Sequence, residues 1–236
     1  MHETFEPNQM HVAVDLMVLS VRDGRLRLPL ARRASPPYAG RWALPGRLIG
    51  MEESAETAVK ALMEEMLPVG EAFFEQLYTF SAINRDPRGR VISTAYLVIV
   101  PWRRLESALE RGGGLFQCFT AGLAGGALSL EGPDGAKLTA PDLAFDHGHI
   151  VALGIQRLRG KIDYTDIGFR FLNDCGAFSL AALQEVFEAV LDKPLDAGNF
   201  RRFIRSRYEE TRRIEPINQA EKRGRGRPAA LYRLCE

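Results

Sequence analysis

The fold of this chain is decided by the stretch Gly46-Arg47-Leu48-Ile49-Gly50-Met51-Glu52 and, seven residues later, Lys60-Ala61-Leu62-Met63-Glu64-Glu65. Ser54 can cap a helix that runs to about Met66, because a serine side chain accepts a hydrogen bond from the first helical turn. Apolar residues at helical spacing predict its buried face, namely Ala58, Ala61, Leu62 and Met66. Positions 61, 64 and 65 share one helix face, where two glutamates remain and Ala61 offers neither charge nor oxygen.

Strand patterns lie on both sides of this helix. The nearly continuous apolar run His11 to Leu19 predicts a buried strand, and Arg22-Asp23-Gly24-Arg25 predicts a hairpin turn. The return strand contains Pro29, which favours a position at a sheet edge. Further elements are expected at Phe73 to Ile83 (strand), Val91 to Val100 (strand), Ala121 to Leu130 (a strand within the glycine-rich stretch Gly112 to Gly135) and His147 to about Lys161 (helix).

The loop and helix resemble a Nudix box, whose pattern is Gly-x5-Glu-x7-Arg-Glu-apolar-x-Glu-Glu-x-Gly-apolar. The match holds at Gly46, Glu52, Leu62, Glu64 and Glu65 and fails at Lys60, Ala61, Leu67 and Pro68. In Nudix hydrolases the first glutamate of the Arg-Glu pair and the later Glu-Glu pair bind the divalent metals that drive pyrophosphate cleavage. Magnesium needs converging oxygen ligands. The resemblance therefore implies weak magnesium binding at most, no catalytic residue, and little or no hydrolysis.

Nucleotide binding can outlast the loss of catalysis, because a pyrophosphate needs cations and a base needs an aromatic or apolar wall. The candidate ligand-binding residues are Arg41, Trp42, Arg47, Glu64, Glu65, Arg85 and Arg88. Other interpretations stay open. Trp42 can belong to the core, Glu64 and Glu65 can be exposed helix charges, and Arg85 to Arg90 can be a solvated hairpin tip.

The C-terminal part has the pattern of a winged helix-turn-helix. Ser179 can cap one helix, and Asp196 a second helix at about Ala197 to Tyr208. Phe200, Phe203 and Ile204 form the apolar face of this second helix. The candidate DNA-binding residues are Asn199, Arg201, Arg202 and Arg205 on the opposite face, and Arg223, Arg225 and Arg227 between two short strands, Ile214 to Ile217 and Ala230 to Leu234. The alternative is a small helical interaction domain with a solvated basic hairpin.

Charge and cysteine content limit the function classes. From Lys193 to Glu236 there are twelve Lys or Arg and six Asp or Glu, a net charge of +6, so the rest of the chain carries −5 of the overall +1. A basic end on an acidic body indicates a polyanion partner. Three scattered cysteines form neither a disulfide framework nor a zinc signature, and no apolar run reaches the roughly 20 residues of a membrane span. We therefore expect a cytoplasmic protein without a membrane partner, and His147 with His149 is too small a set to predict a metal site.

The chain as a whole resembles the Nudix-related transcriptional regulators of NAD metabolism in bacteria. The motifs that carry the resemblance are Trp42-Ala43-Leu44-Pro45-Gly46, Arg85-Asp86-Pro87-Arg88-Gly89-Arg90, Ala144-Phe145-Asp146-His147, Leu158-Arg159-Gly160-Lys161 with Tyr164-Thr165, Asn199-Phe200-Arg201-Arg202, and Gly224-Arg225-Gly226-Arg227-Pro228-Ala229 with Leu231-Tyr232-Arg233. The resemblance implies a homodimeric repressor of NAD synthesis or salvage genes, controlled by ADP-ribose or a related nucleotide. Relative to the usual pattern of that family, Gly112 to Gly135 is interpreted as an insertion.

The expected fold is α+β. A Nudix α/β/α sandwich with a mixed sheet is predicted for residues 1–143, an interdomain helix and linker for 144–170, and a winged helix-turn-helix for 171–236. Two functional alternatives remain at this point: an active Nudix hydrolase of the ADP-ribose pyrophosphatase type, in which Glu52 or Glu53 replaces the missing ligand, and a Nudix-type regulator of sugar catabolism.

Overall fold

The computed structural model describes residues 9–221 and 229–235 of the chain, and these form one large sheet, one small sheet and five α-helices. The large sheet consists of β1 (Met10–Arg22), β2 (Arg25–Arg32), β3 (Trp42–Ala43), β4 (Gly46–Leu48), β5 (Phe73–Phe80), β6 (Arg90–Ile99), β7 (Phe116–Ala124), β8 (Ala127–Glu131) and β9 (Lys137–Thr139). The helices are α1 (Ala55–Met66), α2 (Trp102–Arg111), α3 (His147–Lys161), α4 (Leu180–Leu191) and α5 (Ala197–Ile204). The small sheet contains β10 (Phe178–Ser179), β11 (Ile214–Glu221) and β12 (Ala229–Leu234).

The large sheet is mixed, as predicted. Its main order is β5-β6-β1-β2-β7-β8-β9, with β3 beside β2 and β4 beside β1. The long central strand β1 runs parallel to β6, whereas β2 and β4 pair with it in the antiparallel sense. The first half of β1 pairs with β4 and its last three residues pair with β2, so these two partners diverge from a common strand.

Two apolar layers cover the sheet, because successive side chains of a strand point to opposite faces. Val14, Leu16 and Val18 of β1 pack in a cluster with the buried residues of α1 and α2. Met17 and Leu19 belong to the other cluster, which contains α3 and continues into α4 and α5. The expected α/β/α sandwich is confirmed. Helix α3 contacts both the sheet and α4, and α4 also contacts β2 directly.

The prediction of an edge position for β2 is wrong. Strand β2 lies between β1 and β7, with Pro29 opposite Cys118 of β7. β1 pairs only with Arg25, Leu26 and Arg27 of β2. Pro29 lies beyond this paired segment, so its backbone is not required to donate a hydrogen bond to β1. The missing N–H of the proline is therefore tolerated inside the sheet.

The glycine-rich stretch contains more regular structure than the single strand predicted for it. β7 and β8 form a hairpin whose turn residues, Gly125 and Gly126, have positive φ angles of 56° and 83°. β7 pairs along six residues of β2, so the stretch is part of the sheet. Helix α2 was not predicted, since only Leu105 and Ala108 are fully buried among its charged residues.

The predicted helix caps agree with the structure. Ser54, Ser179 and Asp196 each accept a hydrogen bond from a backbone N–H in the first turn of α1, α4 and α5 respectively. Helix α5 ends at Ile204 and continues as a wider turn to Glu209. The predicted wing-tip residues Arg223, Arg225 and Arg227 lie outside the described residues. No helix within 9–221 or 229–235 is both long and apolar enough to cross a lipid bilayer.

Candidate functional site

A cation-rich pocket of about 220 Å³ opens beside the first half of β1. Its walls come from β4, from the loop between β5 and β6, and from the segment that leads into α3. The charged and aromatic residues of its lining are Asp15, Arg33, Arg47, Arg85, Asp86, Arg88, Phe145 and His147. Four arginines around one small volume make the pocket suitable for an anion.

The floor of the pocket is a buried ion-pair network. The Arg85 guanidinium donates a hydrogen bond to Asp15 Oδ2 at 3.1 Å. It also donates two hydrogen bonds to Asp146, from Nε to Oδ2 at 2.9 Å and from Nη2 to Oδ1 at 2.7 Å. The Ser93 hydroxyl donates to Asp15 Oδ2 at 2.5 Å. Because two carboxylates accept bonds from Nε and Nη2 of Arg85, this residue organises the floor of the pocket.

The electrostatics of Asp15 follow from these contacts. Burial alone would raise the pKa of its carboxyl, but His147, Arg85 and the Ser93 hydroxyl outweigh burial and lower the pKa to about 2. For Arg85, the ion-pair partner of Asp15, burial and charge also act in opposite directions. Burial disfavours the charged form of Arg85, but bonds to Asp146 and Asp15 raise its pKa above the ordinary value. Both members of the network are therefore charged at neutral pH.

His147, the first residue of α3, is held in one tautomer. The backbone N–H of Leu44 donates to His147 Nδ1 at 2.9 Å, so this nitrogen carries no proton. The proton is on Nε2, which faces Asp15 Oδ1 at 3.5 Å. The buried imidazole thus connects the loop before β4 with the floor of the pocket.

Two arginines at the rim flank an aromatic ring. The guanidinium carbons of Arg33 and Arg88 lie 4.8 and 5.8 Å from the centre of the Phe145 ring. Asp86 binds Arg88 through two bonds of 3.1 and 2.8 Å. Burial and the charge of Arg88 lower the pKa of Arg33. An added anion would relieve the repulsion between Arg33 and Arg88, so the rim is electrostatically prepared for a phosphate group.

Phe145 has an unusual backbone. Its φ angle is 52°, in the left-handed region that non-glycine residues rarely adopt. The ring packs edge-on against Tyr38 at 4.9 Å and lies 5.3 Å from His147. Such a conformation costs of order 1–3 kcal/mol and persists where the surroundings fix it. Here it aims an aromatic side chain at the pocket directly before Asp146 and α3.

The loop before α1 is closed by Glu53, whereas Glu52 is exposed. Glu53 accepts hydrogen bonds from the Gly50 backbone at 3.1 Å and from the Arg47 guanidinium, and these lower its pKa. The spacing of the Nudix box can also be counted from Arg47 instead of Gly46. In this second register Glu53 occupies the position of the first glutamate of the box. Leu62 then occupies the position of the metal-binding glutamate that follows the arginine.

In this second register the two apolar positions of the box are Met63 and Val69, and both are buried. Either register leaves a metal-binding position with an apolar side chain, Ala61 in one and Leu62 in the other. Within the described parts of the chain, no three His, Cys, Asp or Glu are grouped as a metal ion requires. Neither of these two side chains has an oxygen atom that could bind a divalent ion.

A second candidate surface is the exposed side of α5. Phe200 and Ile204 are buried and Phe203 is half-buried, as predicted, while Arg201, Arg202 and Arg205 are exposed. Arg202 bonds to Asn199, and Arg205 lies 3.6 Å from Glu209. α4 precedes α5 through a short turn, and β11 and β12 follow as a hairpin. This order of elements is that of a winged helix-turn-helix, in which α5 is the second helix.

Comparison with known families agrees with this geometry. A family model described as the NrtR DNA-binding winged helix domain matches residues 168–234. The chain belongs to the Nudix-related regulators of the NrtR type.

Relatives of this NrtR-type regulator include both regulators and an enzyme. An ADPR responsive transcriptional repressor, NtrR of Acinetobacter baylyi, is 28% identical over 227 residues, which cover 95% of this chain and 82% of that protein. An ADP-ribose pyrophosphatase of Methanocaldococcus jannaschii is 31% identical over 142 residues, 60% of this chain and 72% of that protein. The crystal structure of Shewanella oneidensis NrtR complexed with a 27mer DNA has a TM-score of 0.73 and 26% identity, and the match covers 95% of this chain and 93% of that one.

The NrtR-type chain brings some of the predicted ligand residues together and leaves others apart. Arg47, Arg85 and Arg88 line the pocket. Arg41 instead donates to the Pro141 carbonyl at 3.0 Å, and Trp42 packs against Phe119 at 5.0 Å between ring centres. The other two predicted residues, Glu64 and Glu65, are exposed on α1 and outside the pocket lining, and Glu64 borders a separate groove with Lys60 and Met63.

Several pocket residues of this regulator were not predicted as site residues. They are Asp15, Arg33, Asp86, Phe145, Asp146 and His147. The sequence does contain a signal for Asp15, because it is the one charged residue inside the apolar run from Val12 to Leu19. A buried carboxylate in a core strand requires a partner. The remaining residues meet only through the fold.

Proposed function

We propose that this NrtR-type regulator is a dimeric repressor of NAD synthesis or salvage genes that responds to ADP-ribose or a related nucleotide. The Acinetobacter baylyi relative carries such a name, which supports the effector class. The observation that carries the proposal is the pocket itself. It has arginines around its volume and, among the described residues that line it, no glutamate of α1.

The diphosphate of the nucleotide is assigned to the rim. Arg33, Arg88 and Arg47 can each present N–H donors to phosphate oxygens, and charge-assisted bonds of this kind are the strong ones. Phe145 supplies an aromatic wall. The pocket volume of about 220 Å³ is below the ~300–1,000 Å³ of typical small-molecule sites. The diphosphate and one adjoining group therefore enter, while the rest of the nucleotide extends along the surface.

Nucleotide binding without hydrolysis follows from the residues at the metal-binding positions of the Nudix pattern. Pyrophosphate cleavage needs metal ions to stabilise charge and activate water. The helix that carries those ligands in Nudix enzymes has Ala61 or Leu62 at a required position, and Glu64 and Glu65 are exposed and outside the pocket lining. The pocket therefore retains cations for the substrate and lacks the carboxylates for the metals.

DNA recognition is assigned to α5. Arg201 is exposed near the centre of the helix, and its side chain makes no hydrogen bond or ion pair with the described residues. Asn199 and Arg202 are joined by a hydrogen bond that orders both side chains. In a dimer, two such helices would enter successive major grooves about 34 Å apart, so the operator is expected to be palindromic.

Effector control requires that the nucleotide distinguish two arrangements of the dimer. The nucleotide weakens DNA binding only if it binds the DNA-free arrangement more tightly. A 100-fold difference in affinity between the two corresponds to about 2.7 kcal/mol of coupling.

A mobility-shift experiment with the promoter region of the protein's own gene tests the proposal. We expect a discrete complex without ADP-ribose and a changed affinity when ADP-ribose is present, with AMP and ribose 5-phosphate as controls. A complex that ignores all three compounds would refute nucleotide control. The genes next to that promoter decide between NAD metabolism and sugar catabolism.

A second function has one observation in its favour, the 31% identity with an ADP-ribose pyrophosphatase. In that case Glu53, which is close to Arg47 at the pocket edge, would take the place of a missing carboxylate. A magnesium-dependent assay for AMP release separates the two functions. Turnover that is lost in Glu53→Gln would favour the enzyme.

A further inference from the structure

We propose that Arg159 couples the nucleotide pocket to the DNA-binding helices through α3, an inference that rests on the proposed function. The N-terminal end of α3 forms part of the pocket floor, and its C-terminal end contacts the winged helix. Because α3 has 15 residues, these ends are about 22 Å apart. Arg159 is a positioning residue at the second end.

The pocket end of α3 would sense the ligand. Asp146 precedes the helix and is bound by Arg85, while His147 is fixed by Leu44 and faces Asp15. The neighbouring Phe145 is held between Arg33 and Arg88. A diphosphate that draws these two arginines away from the ring would alter the contacts of Phe145, Asp146 and His147, which lead into α3.

The middle of α3 has little room to absorb a displacement. A methyl group added at Gly154 would come within 2.1 Å of Met17 Sδ, and one at Gly148 within 2.3 Å of the Ala140 carbonyl oxygen. The helix backbone thus lies directly on β1 and on the segment before α3. Close-packed contacts transmit small shifts instead of damping them.

At the far end, Arg159 joins three elements. Its Nη1 donates to the Leu123 carbonyl of β7 at 2.5 Å, and its Nε donates to the Val190 carbonyl of α4 at 2.8 Å. Its Nη2 lies 3.5 Å from Asp192, the residue that ends α4. The carbonyls at the end of a helix lack partners within the helix, so a cation there fixes the position of α4.

The N-terminal half of α4 borders a cleft. The cleft has a volume of about 450 Å³ and is lined by Ser179, Ala182, Glu185 and Trp102. Glu185 accepts a hydrogen bond from the Gly24 backbone N–H, in the turn after β1, at 2.9 Å. α4 is thus bound at its C-terminal end by Arg159, and Glu185 joins its N-terminal half to the turn between β1 and β2 beside the cleft. A shift of α3 would turn α4, and with it α5, about the Arg159 contact.

The test compares two arginines of the same helix. Arg157 also donates to a main-chain carbonyl, that of Leu77 at 2.5 Å, but this carbonyl belongs to β5 and not to the winged helix. We would measure operator affinity with and without saturating ADP-ribose for the wild type, Arg159→Gln, Arg159→Lys and Arg157→Gln. ADP-ribose affinity, measured calorimetrically without DNA, and thermal unfolding would accompany each variant.

We expect Arg159→Gln to reduce the effect of ADP-ribose on DNA affinity by a factor of about 2 to 30, the range of coupling changes from single substitutions. Its ADP-ribose affinity should stay within twofold of the wild type, and Arg157→Gln should retain the full effect. Arg159→Lys keeps the charge near Asp192 and should restore part of the coupling.

An undiminished effect in folded Arg159→Gln would overturn the inference and leave the proposed function intact. An equal reduction in Arg157→Gln would also overturn it, because the loss would then reflect general loosening of α3. A wild type whose DNA affinity ignores ADP-ribose would refute the proposed function itself.

Discussion

Asp15→Asn is predicted to destabilise the protein by about 3 kcal/mol at pH 7. Asp15 is buried and accepts bonds from Arg85 and Ser93, with His147 beside its second oxygen. An asparagine keeps the shape, but its NH₂ group would face another donor. Breaking a buried ion pair typically costs about 3–5 kcal/mol. The lower end of this range applies to Asp15→Asn because Asp146 still neutralises Arg85.

The pH dependence gives an independent estimate of the same contribution. The pKa of Asp15 falls from an ordinary 3.8 to about 2 in the folded protein, which corresponds to roughly 2 kcal/mol of stabilisation at about 1.4 kcal/mol per pKa unit. A lowered carboxyl pKa stabilises the fold above the unfolded value, and the benefit is lost as pH falls through the folded value. About half of it should remain at pH 3.

Urea unfolding of wild type and Asp15→Asn at pH 7 and pH 3 measures both effects. The stability difference between the two proteins should shrink at pH 3, because the ionised carboxylate contributes less there. Asp23→Asn makes the same chemical change on an exposed turn and should stay within about 0.5 kcal/mol of the wild type. If Asp15→Asn matched Asp23→Asn at pH 7, the buried network would not be what holds the pocket floor together.

The remaining predictions concern DNA and metal. Arg201→Ala combined with Arg202→Ala should abolish operator binding in a mobility shift and leave calorimetric ADP-ribose affinity unchanged; retained DNA binding would discredit α5 as the recognition helix. If a dimer contacts about eight phosphates, log affinity should fall with log salt at a slope near −7, and a flat response in fluorescence anisotropy would contradict a phosphate-anchored complex. Ala61→Glu should strengthen manganese binding, detected by its paramagnetic relaxation of water, without bringing AMP release to enzymatic rates, since Lys60 also departs from the Nudix pattern.

Local signals in the sequence predicted most of the elements. Ser54, Ser179 and Asp196 predicted three helix starts because each cap depends on backbone groups within its own first turn. The apolar and basic faces of α5 also follow from spacing alone. The buried face of α1 was predicted less well. The buried residues are Ala58, Val59, Leu62 and Met63. The predicted set had Ala61 and Met66 in place of Val59 and Met63, so the buried face is rotated about the helix axis relative to the prediction.

Contacts between distant parts of the chain account for what was missed. The edge position predicted for β2 was wrong because its partner β7 begins more than eighty residues later, in a glycine-rich stretch without a strong strand pattern. Arg85 is 70 residues from Asp15 and 61 from Asp146, so nothing local distinguishes it from the exposed Arg41. The predicted roles of Arg47 and Arg88 in ligand binding remain predictions, with the pocket geometry in their favour.

A single titration distinguishes nucleotide sensing from nucleotide hydrolysis. A labelled duplex from the protein's own promoter is bound by the protein in magnesium buffer, ADP-ribose is added in steps, and anisotropy and AMP release are recorded from the same sample. We expect DNA affinity to change while less than one ADP-ribose is cleaved per protein, so that the ADP-ribose is recovered intact. Sustained AMP production by a protein that never binds the duplex would contradict it.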